Sequence, residues 1–205
     1  MAKQNQNQKA KTVAVLGILI GLTVLMAFTP VGYLKLGVTI SISFLMIPVA
    51  IGAIAKGPWA GALLGTVFGI TSFVQCFGMD AFGTFLANTN IVFTFIMCVI
   101  CRALAGFLTG LVYKLITKFT KNAFVRSSVT GLCAALFNTV LFVGALILLF
   151  GKGTVSEATG IDPTIGVVAL FATIVGINAI FEAIAAFILT GGIGTALIKA
   201  KLIEA

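Results

Sequence analysis

Long apolar runs separated by short polar breaks carry most of the pattern in this sequence. The first follows a basic opening, residues 1–11 (MAKQNQNQKAK), and reads TVAVLGILIGLTVLMAF over 12–28. Further runs occupy 38–55, 59–77, 90–116, 127–150 and 165–189. The breaks between them are marked by Pro30, Gly32 and Gly37, by Lys56-Gly57-Pro58, and by stretches at 75–89, 114–127 and 151–163. One helical crossing of the hydrocarbon layer needs about 20 mostly apolar residues, with a range of about 17–25. The pattern predicts an all-α integral membrane protein, a single membrane domain over 1–205 built as a six-helix transmembrane bundle. Run one looks like a signal-peptide core, but no small-residue cleavage site follows Phe28, so it is expected to remain as a helix.

The break at 75–89 (QCFGMDAFGTFLANT) is apolar for a plain linker. Two readings stay open there: a loop resting among headgroups, or a lid over a site. Along the first run, Ala10 with Ala14 and Gly17 with Gly21 form small-x-x-x-small pairs, which let another helix backbone come close or serve ordinary internal packing.

Composition agrees with the pattern. The chain is 60% hydrophobic and 9% charged, which excludes a soluble domain of this length. Its net charge of +8 does not make a nucleic-acid surface, because the cations sit in the breaks. Lys3, Lys9, Lys11, Lys56, Lys114, Lys118, Lys121, Arg126, Lys199 and Lys201 fall on one side of the predicted membrane, and only Lys35 and Lys152 on the other. By the positive-inside rule both termini are cytoplasmic. The expected location is the plasma membrane of a prokaryote, crossed several times.

Candidate chemistry is sparse. Histidine is absent, which removes imidazole acid–base catalysis, Ser-His-Asp triads and the usual zinc sites. Cys98 and Cys101 form a C-x-x-C inside an apolar run, where cysteine reads as a small hydrophobe. No enzyme activity, metal or cofactor is expected. The sequence also lacks a G-x-x-x-x-G-K-[ST] loop, so any ATP must be hydrolysed by another chain.

One cation breaks the rule that charges stay in the breaks. Arg102 lies about fourteen residues into the fourth run, roughly 21 Å along a helix at ~1.5 Å per residue. A charge at the middle of a span costs at least ~2.5–3.5 kcal/mol on insertion scales, so Arg102 is expected to face protein or a wet cavity. It shares a helical face with Asn88, Ile91, Phe95, Cys98 and Gly106. Asn138 in the fifth run, and Asn178 and Glu182 in the sixth, fall at a similar depth. Either Arg102 and Glu182 pair and lock the bundle, or these groups line a pocket for a polar or anionic small molecule, with Asn88 and Asn90 at its outer mouth.

Across nearly its whole length the chain resembles the substrate-binding (S) components of energy-coupling factor (ECF) vitamin transporters. GILIGLTVLMAF is similar to their first helix, with Gly17 and Gly21 where an alanine pair is usual. ISFLMIPVAIGAIAKGPWAGALLGTVFGI resembles their second and third spans, and NTNIVFTFIMCVICRALAGFLTGLVYKL a fourth span with an arginine in its middle. The resemblance implies capture of a vitamin from outside, with ATP-driven uptake by a transmembrane T subunit and two ATPase subunits. It also implies that the face carrying Ala10, Ala14, Gly17 and Gly21 meets the T subunit. KLGVTI lacks the acidic residue usual in the riboflavin branch, and the look of FGMDAFGTFLANTN is closest to pantothenate-type members. Arg102 would then pair with the pantothenate carboxylate, and Asn138, Asn178 and Asn90 with its hydroxyl or amide groups. If Glu182 instead neutralises Arg102, a neutral pyridoxine-like or hydroxymethylpyrimidine ligand fits better. A self-sufficient secondary carrier, an intramembrane enzyme and a purely structural subunit are the rivals from other classes.

Overall fold

The computed structural model describes residues 2–36, 40–160, 162, 164, 166–200, 202 and 203. Its helices are α1 (Ala2–Ala27), α2 (Met46–Lys56), α3 (Pro58–Gln75), α4 (Ala81–Thr89), α5 (Ile91–Phe95), α6 (Cys101–Phe119), α7 (Ala123–Thr159) and α8 (Val167–Lys199). A π-helical turn, Ile96–Ile100, joins α5 to α6. Strands β1 (Tyr33–Leu36) and β2 (Ile40–Ser43) form an antiparallel hairpin in which Tyr33 faces Ser43. Among the described residues, three helical stretches are long and apolar enough to cross a membrane: Ile91–Phe119, Ala123–Glu157 and Ala179–Lys199. Thr12–Ala27 and Met46–Lys56 are apolar but shorter.

Run length alone misplaces several boundaries. The apolar stretch at 38–55 is not one helix, because its first part is β2 and α2 starts only at Met46. Apolar content had hidden a two-residue alternation that suits a strand. The break at 75–89 is not an irregular loop throughout. It holds α4, whose first turn is closed by Asp80 accepting from the Gly83 N–H at 2.7 Å. The last helix continues through Gly191 and Gly192 to Lys199. Both long C-terminal helices are broken at a glycine with positive φ, Gly151 in α7 (φ 75) and Gly176 in α8 (φ 43), a conformation that L side chains rarely adopt.

Two seams hold the bundle. Along α3 and α6, small residues bring backbone against backbone. A methyl group on Gly61 would strike the Gly106 carbonyl, and one on Gly65 would strike the carbonyl of Arg102. Such contact maximises dispersion where lipid supplies no hydrophobic drive between helices. Along α7 and α8, Gly131, Gly191 and Gly194 receive Thr190, Ser128 and Ser127 in the same way. The main core joins α1, α2, α3, α6 and α7 through Leu19, Val49, Ala50, Leu64, Phe68, Ala105 and Ala134. A second cluster, with Leu86, Met97, Cys98, Leu146 and Val155, lies under α4 and the π turn.

Candidate functional site

Arg102 opens α6 immediately beyond the π turn and is only 8% exposed. Its Nη1 donates to the Cys98 carbonyl at 3.1 Å, one helical turn back. The guanidinium carbon lies 4.5 Å from the centre of the Phe68 ring and 4.8 Å from that of Phe142, so α3 and α7 each supply one aromatic wall. Each such cation–π contact stabilises by about 0.5–2 kcal/mol. Among the described residues no carboxylate forms an ion pair with Arg102, although its charge acts on Glu182, and its Nε has no hydrogen-bond partner. The arginine is desolvated, held between two rings, and still has donor capacity to spare.

Glu182 bonds to the backbone of the hairpin. Its Oε1 accepts from the backbone N–H of Ser43 at 2.7 Å, which ties β2 to α8 across 139 positions of sequence. Of the two readings open for Arg102 and Glu182, direct pairing is not seen: the carboxylate satisfies the Ser43 N–H, while the Arg102 charge still acts on it. Opposite Ser43 on the hairpin stands Tyr33. Burial pushes its phenol up from 10.0, while the Arg102 charge and a hydrogen bond with Ser72 act in the other direction. The hairpin base thus touches α8 through Ser43 and reaches the Arg102 side through Tyr33.

Asn138 stands one turn before Phe142 on α7, so both share a face. Its Oδ1 is buried without a partner, as is the Ser43 hydroxyl. Buried polar atoms are nearly always hydrogen-bonded in native proteins, so these orphans, on the elements that carry Phe142 and pair with Glu182, are candidates for contact with a ligand.

Asn90 and Asn88 do not join this group. Asn90 caps α5, its Oδ1 accepting from Val92 N at 3.1 Å and Phe93 N at 3.0 Å. Asn88 is exposed on α4. Asn178 lies two residues past the Gly176 break, and its side chain falls outside the described residues, as does that of Ala10. On α1, Ala14, Gly17 and Gly21 are exposed, with open space beyond both glycines, while Leu19 and Thr23 face the core. Two grooves on the bundle surface are lined by apolar side chains. One of about 590 Å³ lies between α7 and α8, around Leu136, Ile180 and Phe187; the other, of about 450 Å³, lies between α1, α2 and α8, around Leu22, Pro48 and Ile193. Neither contains the polar group.

The sequence profile described as "ECF transporter, substrate-specific component" matches residues 11–194. The chain belongs to that family. It is a family of transporter components that bind substrate, not of enzymes. A curated relative, the pantothenic acid transporter PanT of Lactococcus lactis subsp. cremoris (strain MG1363), is 29% identical over 209 residues, covering 96% of this chain and 98% of the relative. Within this ECF component, Tyr33, Ser43, Phe68 and Phe142 went unnoticed in the sequence. Two-residue alternation around 33–36 and 40–43 was the available signal for the first pair; nothing set Phe68 or Phe142 apart among 18 phenylalanines.

Proposed function

We propose that this ECF component captures pantothenate from outside the cell and delivers it for ATP-driven uptake by partner subunits. In this reading residues 1–205 form one membrane domain that crosses the prokaryotic plasma membrane six times, with both termini cytoplasmic. The distribution of lysine and arginine supports that orientation.

The observation that carries the reading is Arg102, buried, in no ion pair among the described residues and with an unpartnered Nε. Pantothenate is a small carboxylate with hydroxyls and an amide. Its carboxylate meets the free edge of the guanidinium, replacing lost hydration with a charge-assisted bond. Asn138 Oδ1 accepts from a ligand hydroxyl or amide N–H. Tyr33 and the Ser43 hydroxyl close the site from the hairpin, and Asn178 stays in the lining on sequence grounds. Glu182 accepts from the Ser43 N–H and forms no ion pair with Arg102 among the described residues, which supports an acidic cargo over a neutral one. Arg102 binds and orients; Phe68 and Phe142 keep it flat and exclude water.

Transport needs partners. The open α1 face, with Ala14, Gly17 and Gly21 and by sequence Ala10, is the surface offered to the transmembrane T subunit, and two ATPase subunits supply the hydrolysis this chain cannot perform. Calorimetry on the detergent-purified protein tests the cargo with pantothenate, riboflavin, pyridoxine and hydroxymethylpyrimidine. Tight binding of pantothenate alone is the expected result. Binding of another compound in its place overturns the cargo assignment, and uptake that persists without any ATPase subunit indicates a self-sufficient secondary carrier.

A further inference from the structure

A second buried arginine lies far from Arg102 in the chain. Arg126 sits in the first turn of α7, is 7% exposed, and has an Nε with no partner. Its guanidinium carbon is 6.0 Å from the ring centre of Tyr113 on α6. Tyr113 is itself 6% exposed, and its hydroxyl also has no partner. Among the described residues no carboxylate forms an ion pair with Arg126. Helix position makes the cation less favourable still, because an N-terminal turn already carries partial positive charge. Asn122 closes that helix end by accepting from Phe124 N and Val125 N. Lys114, Lys118 and Lys121 add further positive charge nearby, all exposed.

A desolvated guanidinium fork over the ring of a tyrosine whose hydroxyl is also unbonded offers two sets of donors to an oxyanion. The surroundings indicate which one. Phe119, the last residue of α6, is 81% exposed, and Trp59 is 79% exposed while packing edge-on against Phe107 of α6. The Gly57 turn before Trp59 sits against the Lys114 side chain, one residue from Tyr113. Exposed aromatic rings mixed with lysines are the mark of headgroup depth, and basic pockets between helices there bind lipid headgroups. We propose that Arg126 and Tyr113 form a phosphate-binding site, separate from the vitamin site, that takes the headgroup phosphate of an anionic phospholipid.

Native mass spectrometry of the detergent-solubilised full chain tests this with three probes: phosphatidylglycerol, diacylglycerol and inorganic phosphate. Wild type, Arg126→Gln and Tyr113→Phe are compared, with elution volume and melting temperature confirming that each is folded. Tyr113→Phe keeps the ring and removes only the hydroxyl. The expected result is retention of phosphatidylglycerol but not diacylglycerol by wild type, with affinity about tenfold lower in Arg126→Gln and a smaller loss in Tyr113→Phe. Inorganic phosphate binding wild type but not Arg126→Gln, with phosphatidylglycerol inert, keeps the oxyanion site and makes free phosphate its occupant. Equal lipid binding by all three proteins overturns the proposal. So does binding of neither phosphate probe, or occupation of the site only by a carboxylate of a co-expressed partner subunit. None of these readouts uses a vitamin, so failure here is distinct from failure of the pantothenate assignment.

Discussion

Replacing Arg102 with methionine separates what the arginine does for the ligand from what it does for the fold. Methionine has a similar length and fills the space between Phe68 and Phe142, where its sulfur meets both rings at about 0.3–1.5 kcal/mol per contact. The variant gives up one hydrogen bond to the Cys98 carbonyl, about 1.5–3 kcal/mol for a charged donor. It is also relieved of desolvating an ion, an effect of several kcal/mol. These opposing effects are of similar size, so the ligand-free variant should melt within a few degrees of wild type. Pantothenate binding has no such compensation. Removing one partner of a buried charge pair costs about 2–5 kcal/mol in binding, and each ~1.4 kcal/mol is tenfold. Affinity should therefore fall roughly 30- to 4000-fold, measured by calorimetry beside thermal unfolding of the ligand-free protein. Pantothenate affinity within threefold of wild type would refute the reasoning, even if the variant were stable.

Two further predictions test the surroundings. Glu182→Gln keeps an oxygen that can accept from the Ser43 N–H and should retain most of the affinity, whereas Glu182→Ala frees β2 and should raise the ligand dissociation rate about tenfold, the effect of ~1.4 kcal/mol; stopped-flow release compares them, and equal rates would remove the hairpin from the site. Gly17→Leu fills the open space on α1 and should block co-purification with the T subunit while leaving pantothenate affinity intact; normal co-purification would count against that face as the docking surface.

Arg102 could be read from sequence because one charge in an apolar run is conspicuous whatever the fold, and desolvation forces it inward. Asn90 misled for a related reason. An asparagine near a span looks like lining, yet the same residue type is the ordinary choice for starting a helix, and here it starts α5. Glu182 could be placed in depth but not paired, because its partner is a backbone N–H on a hairpin 139 positions away that the apolar pattern of 38–55 had concealed. Phe68 and Phe142 were invisible for want of contrast. In a membrane chain phenylalanine serves lipid and interior alike, so only the packing of α3 and α7 reveals which rings meet the cation.

The glycine contact between α3 and α6 has a consequence for how the cargo of such a protein can be changed. Because Gly65 bears directly on the Arg102 carbonyl, the arginine is anchored through its main chain, and no neighbouring side chain there can be exchanged to move it. That wall behaves as a fixed template. Asn138, on α7, and the hairpin base approach from other elements and can be varied without moving that main chain. A designer seeking a new acidic cargo should therefore leave the glycines alone and build the library on the opposite wall.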